Sequence, residues 1–351
     1  MRYPIRFGDQ DLTRTQVAQE LDPRGAWAGP LGQRLAPDEH LFYDRAMDGR
    51  RRPPARYVEQ PCQRALNPVR GMPFRWPLNP YVGCVHRCTF CYVRAFEVRA
   101  DRDSADGYGR SVRVKTNVAT LLRTELARPS WSAELVALGT ATDPYQPAEA
   151  RYRLTRGCLE ELARARTPVG LVTRGPMVLR DIDVLQDLAA CADLTVTVSL
   201  PTLDLEVWRR TEPGTAPPRQ RLRVIASLVE AGIRAGVALA PLLPGISDSP
   251  EGIAAVVAAA RQAGATHLWS GVLRLPPGTR EHFLALLEQD WPELLDRYRA
   301  MYARGAAAPP SVRAATQDAV ETERRRWSIA DRRRRPIRPL PAPAQMDLLA
   351  V

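Results

Sequence analysis

GCVHRCTFCY, Gly83 to Tyr92, places three of the chain's six cysteines within eight residues, spaced C-x3-C-x2-C at Cys84, Cys88 and Cys91. The other three, Cys62, Cys158 and Cys191, are scattered. The opening residues MRYPIRFGDQ lack the apolar core of a secretory leader. The expected location is therefore the cytoplasm, where thiols stay reduced. In that setting a tight cysteine group reads as a metal or catalytic site rather than as disulfides. Three thiolates can hold three corners of a [4Fe–4S] cluster, which takes a ligand on each of four irons. No fourth cysteine is near in sequence, so one iron is left open. The competing reading is a structural zinc, with His86 or a remote residue as its fourth ligand. Zinc sites usually come as two C-x2-C-type pairs, and the chain has no second pair.

Downstream of this loop the chain alternates. Short apolar runs suited to buried strands lie at Asn79–Val82, Leu135–Leu138, Val169–Val172, Leu194–Ser199, Ala235–Ala240 and His267–Leu273. Between them, helical periodicity marks Val118–Ala127, Tyr152–Arg164, Asp181–Ala190, Gln220–Ala231, Pro250–Ala263 and Arg280–Leu287. Ser249 before Pro250 signals a helix start, and Gly232 and Gly264 follow helix ends. Strand starts roughly thirty residues apart fit successive βαβ units, which right-handed crossovers curl into a parallel barrel or partial barrel. The predicted fold class is α/β, a partial (β/α)6 barrel of the TIM type. Its span is residues 71–290, and 351 residues suit one such unit. Residues 1–70, rich in Pro, Gly and Arg, read as an irregular N-terminal extension. Residues 291–335 read as a helical basic segment. Residues 336–351, with Pro336, Pro339, Pro341 and Pro343, read as a disordered tail. The first predicted strand ends just before Cys84, which puts the cysteines at the C-terminal mouth, where such barrels carry their chemistry.

The motif C-x3-C-x-aromatic-C at the end of a first strand, followed by a (β/α) repeat, resembles the radical SAM superfamily. That resemblance implies that Cys84, Cys88 and Cys91 ligate a [4Fe–4S] cluster. It also implies that S-adenosylmethionine chelates the fourth iron and is cleaved to methionine and a 5′-deoxyadenosyl radical. The segments NPYVGCVHRCTFCYVRAF, VKTN at 114–117, TRGPMVLRDID at 173–183 and APLLPGISD at 240–248 look like the spore-photoproduct-lyase-like branch, often labelled DNA repair photolyase. By that resemblance Phe90 lies against the adenine, Thr142 and Arg174 hold the methionine amino and carboxylate groups, and Ser199 reaches the ribose. Arg174 stands where the branch more usually carries lysine, a change that carboxylate binding tolerates. One departure matters. The lyase quenches its product radical with a cysteine near the end of the second strand, and here that position falls at about Thr140. A hydroxyl O–H is too strong a bond for that role, so the lyase reaction does not transfer. Cys158 and Cys191, in or beside predicted helices, read as small buried hydrophobes. Cys62, upstream of the core, is the remaining cysteine able to fold over the mouth.

Net charge is +11, and residues Glu321 to Arg338 carry eight arginines against three acids. Such a cluster suits either a phosphate backbone or a solvated helix end. Lys115 is the sole lysine among 50 basic residues, and it lies with all three asparagines, Asn67, Asn79 and Asn117, around the cysteine loop. Lys115 is thus a candidate catalytic residue, with a surface turn as the plainer reading. Glu212 and Arg210 follow the fourth strand in a segment able to line the mouth. QMDLL, Gln345 to Leu349, resembles the peptide by which bacterial repair and replication proteins bind the sliding clamp. With the arginines it points toward DNA or another nucleic acid as target. An electron donor such as flavodoxin or ferredoxin is a further expected partner. No apolar run is long enough to span a membrane. The expected function is a radical SAM enzyme acting on an unidentified substrate. The rival is a non-catalytic nucleic-acid-binding adaptor with a structural metal loop.

Overall fold

The computed structural model describes residues 55–332, together with a two-strand ladder pairing Arg6–Phe7 with Gln10–Asp11. The elements run β1 (Arg56–Gln60), β2 (Trp76–Leu78), β3 (Tyr81–Val82), α1 (Arg94–Arg99), β4 (Ser111–Lys115), α2 (Val118–Leu126), β5 (Val136–Leu138), α3 (Ala148–Tyr152) and α4 (Leu154–Arg164). They continue β6 (Val169–Thr173), α5 (Ile182–Cys191), β7 (Leu194–Ser199), α6 (Leu205–Thr211), α7 (Pro218–Glu230), β8 (Ala235–Leu242), α8 (Pro250–Gln262) and β9 (His267–Val272). The chain closes with α9 (Thr279–Asp290), α10 (Leu295–Met301), α11 (Pro310–Arg326) and β10 (Ala330–Asp331).

Seven strands form one parallel sheet in the order β2-β5-β6-β7-β8-β9-β10. The order follows the chain because each helical crossover returns the next strand to the same edge. All six residues of β7 are buried, as expected where helices cover a parallel sheet. Leu138, Leu171, Val196 and Val237 on the strands share one core with Leu122, Leu159, Leu185, Ile225 and Val257 on the helices. The predicted helix signals hold. The Ser249 hydroxyl accepts from the Gly252 N–H ahead of Pro250, and Gly232 and Gly264 take φ of +77° and +81° after α7 and α8.

The first barrel strand differs from expectation. It is Trp76–Leu78, directly upstream of Asn79–Val82. Pro77 sits within it, and the strand is tolerated because it lies at the sheet edge, where a missing N–H costs no ladder bond. The chain then leaves the sheet at Asn79. Its side chain donates to the Thr140 hydroxyl (3.0 Å) and accepts from the Ala141 N–H (2.8 Å). Tyr81–Val82 pairs antiparallel with β4 in a second, three-stranded sheet, β1-β4-β3.

Two boundary expectations also change. The stretch read as irregular through residue 70 contains β1, which runs parallel to β4 in full register. Its residues are exposed or half-buried, so it has no apolar run by which to be read. The segment after 290 is not a basic appendage alone. Its strand β10 pairs with His267 and Leu268 as the seventh strand. Tyr298 of α10 and Tyr302 just after it are buried in a second core with Phe283, Leu243, Leu273, Cys88 and Phe90. The tail from 336 onward, with Gln345–Leu349, lies outside the described residues.

Candidate metal and cofactor site

The cysteine loop, 83–93, is held by backbone geometry and by groups from other strand ends. Gly83 has φ +90°, and a Cβ there would meet the Ser111 carbonyl oxygen at 2.9 Å, so only glycine lets the loop leave β3 at this angle. The Gly83 carbonyl accepts from the Thr142 hydroxyl (2.7 Å) and the Gln146 amide (3.1 Å), while Gln146 Oε1 accepts from the Val85 N–H (3.1 Å). The carbonyl of Thr211, the last residue of α6, accepts the Thr89 N–H (2.9 Å), and in the loop that follows the Gly214 N–H donates to the His86 carbonyl (3.1 Å). The Thr279 hydroxyl of α9 donates to the Cys91 carbonyl (3.0 Å). These anchors follow the C-terminal ends of β5, β7 and β9, so the loop sits at the mouth of the partial barrel.

Cys84 and Cys88 are buried and Cys91 is half-buried. Burial pushes the thiols of Cys88 and Cys91 up, and Arg174 pulls both in the opposite direction. Without a metal these two are neutral thiols, so loading must displace their protons. Arg174 follows β6. Its Nε donates to Glu212 (2.8 Å), its Nη2 reaches the Ala240 carbonyl (3.4 Å), and its guanidinium stands 5.8 Å from the Phe90 ring centre. Burial works against its charge, but Cys88 once it is a thiolate, together with the Glu212 and Asp143 carboxylates, outweighs burial and keeps it protonated.

Glu212 lies between two cations. Arg221, fully buried in α7, donates to both its carboxylate oxygens (3.1 Å each), to the Ser199 carbonyl (2.9 Å), to the Ala216 carbonyl (2.7 Å) and to the Thr215 hydroxyl. On the other side, Asp143 accepts from the Thr173 hydroxyl (2.7 Å), the Arg174 N–H (2.7 Å) and the Tyr145 N–H (2.9 Å), and its Oδ2 lies 3.4 Å from His86 Nδ1. Burial opposes the Asp143 charge, but His86, the Thr173 hydroxyl and the Arg174 N–H hold its pKa down at about 2.

Among the described residues no three His, Cys, Asp or Glu side chains close around a single metal ion. The structural-zinc reading, with His86 completing it, therefore gains no support. A cluster would make a different demand, because each cysteine sulfur would bind a different iron rather than one shared ion. Three loop thiols, with Cys84 buried, Cys88 and Cys91 packed in the second core and the Arg174 guanidinium acting on the latter two, suit such an anionic group.

The family model of the radical SAM superfamily matches residues 78–287, which begin at the end of β2 and run into α9. The chain belongs to the radical SAM superfamily. An uncharacterised protein of Mycobacterium tuberculosis is 38% identical over 293 residues, covering 83% of this chain and 84% of that protein. An uncharacterised protein of Methanocaldococcus jannaschii is 23% identical over 187 residues, 53% of this chain and 68% of the other. Among solved structures, spore photoproduct lyase with bound AdoMet and dinucleoside spore photoproduct superposes with a TM-score of 0.60. That match has 14% identity and covers 78% of this chain and 80% of the lyase, so the likeness is one of fold. The chain is a radical SAM enzyme, which displaces the adaptor reading. Its superfamily implies a [4Fe–4S] cluster and S-adenosylmethionine as cofactors.

The structure brings Phe90, Thr142, Arg174 and Ser199 to the same mouth as the cysteines. Thr142 is already engaged: it donates to Gly83 and accepts from Gln146 (2.8 Å). Ser199 donates to the Ala240 carbonyl (3.0 Å). Lys115 goes elsewhere. It ends β4, burial lowers its pKa, and the cysteines that act on its charge are Cys62 and Cys158. Cys62 does not fold over the mouth; its N–H and carbonyl are bridged by the Asn117 amide (2.8 and 3.0 Å). Cys158 is a buried core residue as expected, and Cys191 is half-buried against the same core. Glu212 is in the site, whereas Arg210 lies outside it, 5.3 Å over the Trp291 ring. Sequence reasoning missed Gln146, Asp143, Arg221 and Tyr108. The first two stand in TDPYQ, just after β5, where a strand-end position was a usable signal. Arg221 had none, being one arginine among 49.

Proposed function

We propose that this radical SAM enzyme reductively cleaves S-adenosylmethionine and uses the product radical to abstract hydrogen from a nucleic-acid base. The observation that carries the reading is the pinned, shielded three-cysteine loop sharing one mouth with Arg174 and Phe90. When bound, the cluster and S-adenosylmethionine supply a 5′-deoxyadenosyl radical; the chain binds, orients and excludes water. Cys84, Cys88 and Cys91 hold the cluster. Arg174 spends Nε on Glu212 and Nη2 on Ala240, which leaves Nη1 for the methionine carboxylate. Thr142 retains one lone pair, the acceptor an amino group needs, and the Ser199 oxygen can accept from a ribose hydroxyl. Phe90 offers a buried ring for the adenine.

Thr140 accepts from Asn79 at the position where the related lyase carries its hydrogen-donating cysteine. The product radical must therefore be resolved differently from the lyase reaction. The nucleic-acid assignment rests on the lyase-like fold and the basic composition. We also assign the Gln345–Leu349 peptide to a sliding clamp, a small electron-transfer protein as reductant, and the cytoplasm as compartment. No helix among the described residues is long and apolar enough to cross a membrane.

The test of the substrate class is isotopic. Reduced, cluster-loaded protein with S-adenosylmethionine is incubated with single-stranded and duplex oligonucleotides deuterated on their bases. Deuterium appearing in 5′-deoxyadenosine supports the reading. Deoxyadenosine that forms equally without oligonucleotide, and never gains deuterium, removes nucleic acid as substrate. Deleting 345–351 should abolish binding to purified clamp, and unchanged binding would remove that partner.

A further inference from the structure

Tyr108 is 2% exposed and its hydroxyl lies 3.1 Å from the Cys91 sulfur. It belongs to the segment between α1 and β4, which is pressed against the cysteine loop. Gly109 has φ +73°, and a Cβ there would meet the Cys84 carbonyl oxygen at 2.4 Å. The ring is fixed from its other side. The Arg94 guanidinium stacks 4.4 Å from its centre, and Arg94 Nη1 donates to the carbonyls of Ser104 and Ala105 (2.8 Å to the latter). The same segment is braced by the Tyr108 N–H to the Ala105 carbonyl (3.2 Å) and the Gly107 N–H to the Asp103 carboxylate (2.9 Å).

In the metal-free chain either Tyr108 or Cys91 could supply the hydrogen. A metal-bound Cys91 has no S–H, so the phenol must then be the donor. Hydrogen bonds to ligating sulfurs are one of the levers by which a protein sets a cluster's reduction potential. A donor withdraws density from sulfur and favours the reduced, more negative state. Arg94 adds a fixed positive charge over the ring, in the field of Cys91 and Cys88. We propose that Tyr108 is a positioning residue that donates a hydrogen bond to the Cys91 sulfur and thereby raises the reduction potential of the centre. The inference rests on the cluster reading above.

The experiment is an EPR-monitored redox titration of the full-length protein, loaded anaerobically with iron and sulfide, as wild type and Tyr108→Phe. The phenylalanine keeps the ring under Arg94 and removes only the donor. The expected result is a ratio of reduced to oxidised centre about tenfold lower at any fixed potential, equal to about 59 mV for a one-electron couple. A fluorinated tyrosine at 108, a more acidic and stronger donor, should move the potential the opposite way. An unchanged potential at full iron content overturns the proposal. If the phenylalanine protein holds no iron, the fluorinated protein decides: an upward shift supports the proposal and no shift overturns it. A colourless, iron-free wild type would fail the cluster reading itself, whereas a brown wild type with unmoved variants fails this inference alone.

Discussion

Two groups of arginines are set differently. Arg324, Arg325 and Arg326 form the conspicuous run at the end of α11. Arg324 and Arg325 each reach Glu321 at 2.7 Å, and Arg326 reaches Glu323 at 3.5 Å, one turn back on the same helix. Arg325 and Arg326 are exposed, and such pairs contribute little, while Arg324 is largely covered and also donates to the Ile329 carbonyl (2.8 Å). Arg174 and Arg221 come from different βα units and converge on one buried carboxylate, Glu212. Charge density along a chain does not locate a site. Charge taken out of water does, because each buried group needs a named partner.

That contrast sets the order of expected effects. The largest is at the cysteines: Cys91→Ala should abolish stable cluster assembly, read as iron and sulfide per chain after anaerobic reconstitution. Arg221→Met should come next. It leaves buried Glu212 with Arg174 as its one cation and takes the Arg221 donor from the Ser199 and Ala216 carbonyls; breaking a buried pair outright costs about 3–5 kcal/mol, which is the upper bound for this loss, measured by urea unfolding. If Arg221→Met left stability unchanged, the contrast between the two arginine groups would collapse.

Asp143→Asn should have a smaller, pH-dependent effect. The folded pKa of Asp143 is depressed to about 2 from an ordinary 3.8. Its contribution, roughly 2 kcal/mol, is therefore present above pH 4 and lost as pH falls through about 2. The stability gap between wild type and variant should be full at pH 6 and closed near pH 2. A gap that does not change with pH would mean the carboxylate charge is not what holds this corner. Least affected is Arg325→Ala, expected within about 0.5 kcal/mol of wild type.

Where contacts are local, the sequence showed them. The cysteine loop is one short motif, and the strands β5 to β9 are apolar runs within two residues of their expected bounds. The signal failed where a residue acts across the chain. Gln146 reaches Gly83, Asp143 reaches Arg174, and Tyr108 reaches Cys91 from a loop after α1. Pro77 hid the first barrel strand, because proline argues against a strand unless the strand is at an edge. The clustering of rare asparagines is partly explained. Asn79 and Asn117 each use both ends of one amide to bridge separate segments, which few other side chains can do. Asn67 is exposed, and Lys115 finds no such bridge among the described residues.

The central claim is that the mouth built by Cys84, Cys88, Cys91, Arg174 and Phe90 generates a radical from S-adenosylmethionine. The direct measurement is 5′-deoxyadenosine formed anaerobically by the reconstituted, reduced protein with S-adenosylmethionine and oligonucleotide present, beside Cys88→Ala. The account predicts deoxyadenosine from the intact protein and none from the variant. Equal amounts from both, or an intact protein that binds zinc and no iron, would contradict it.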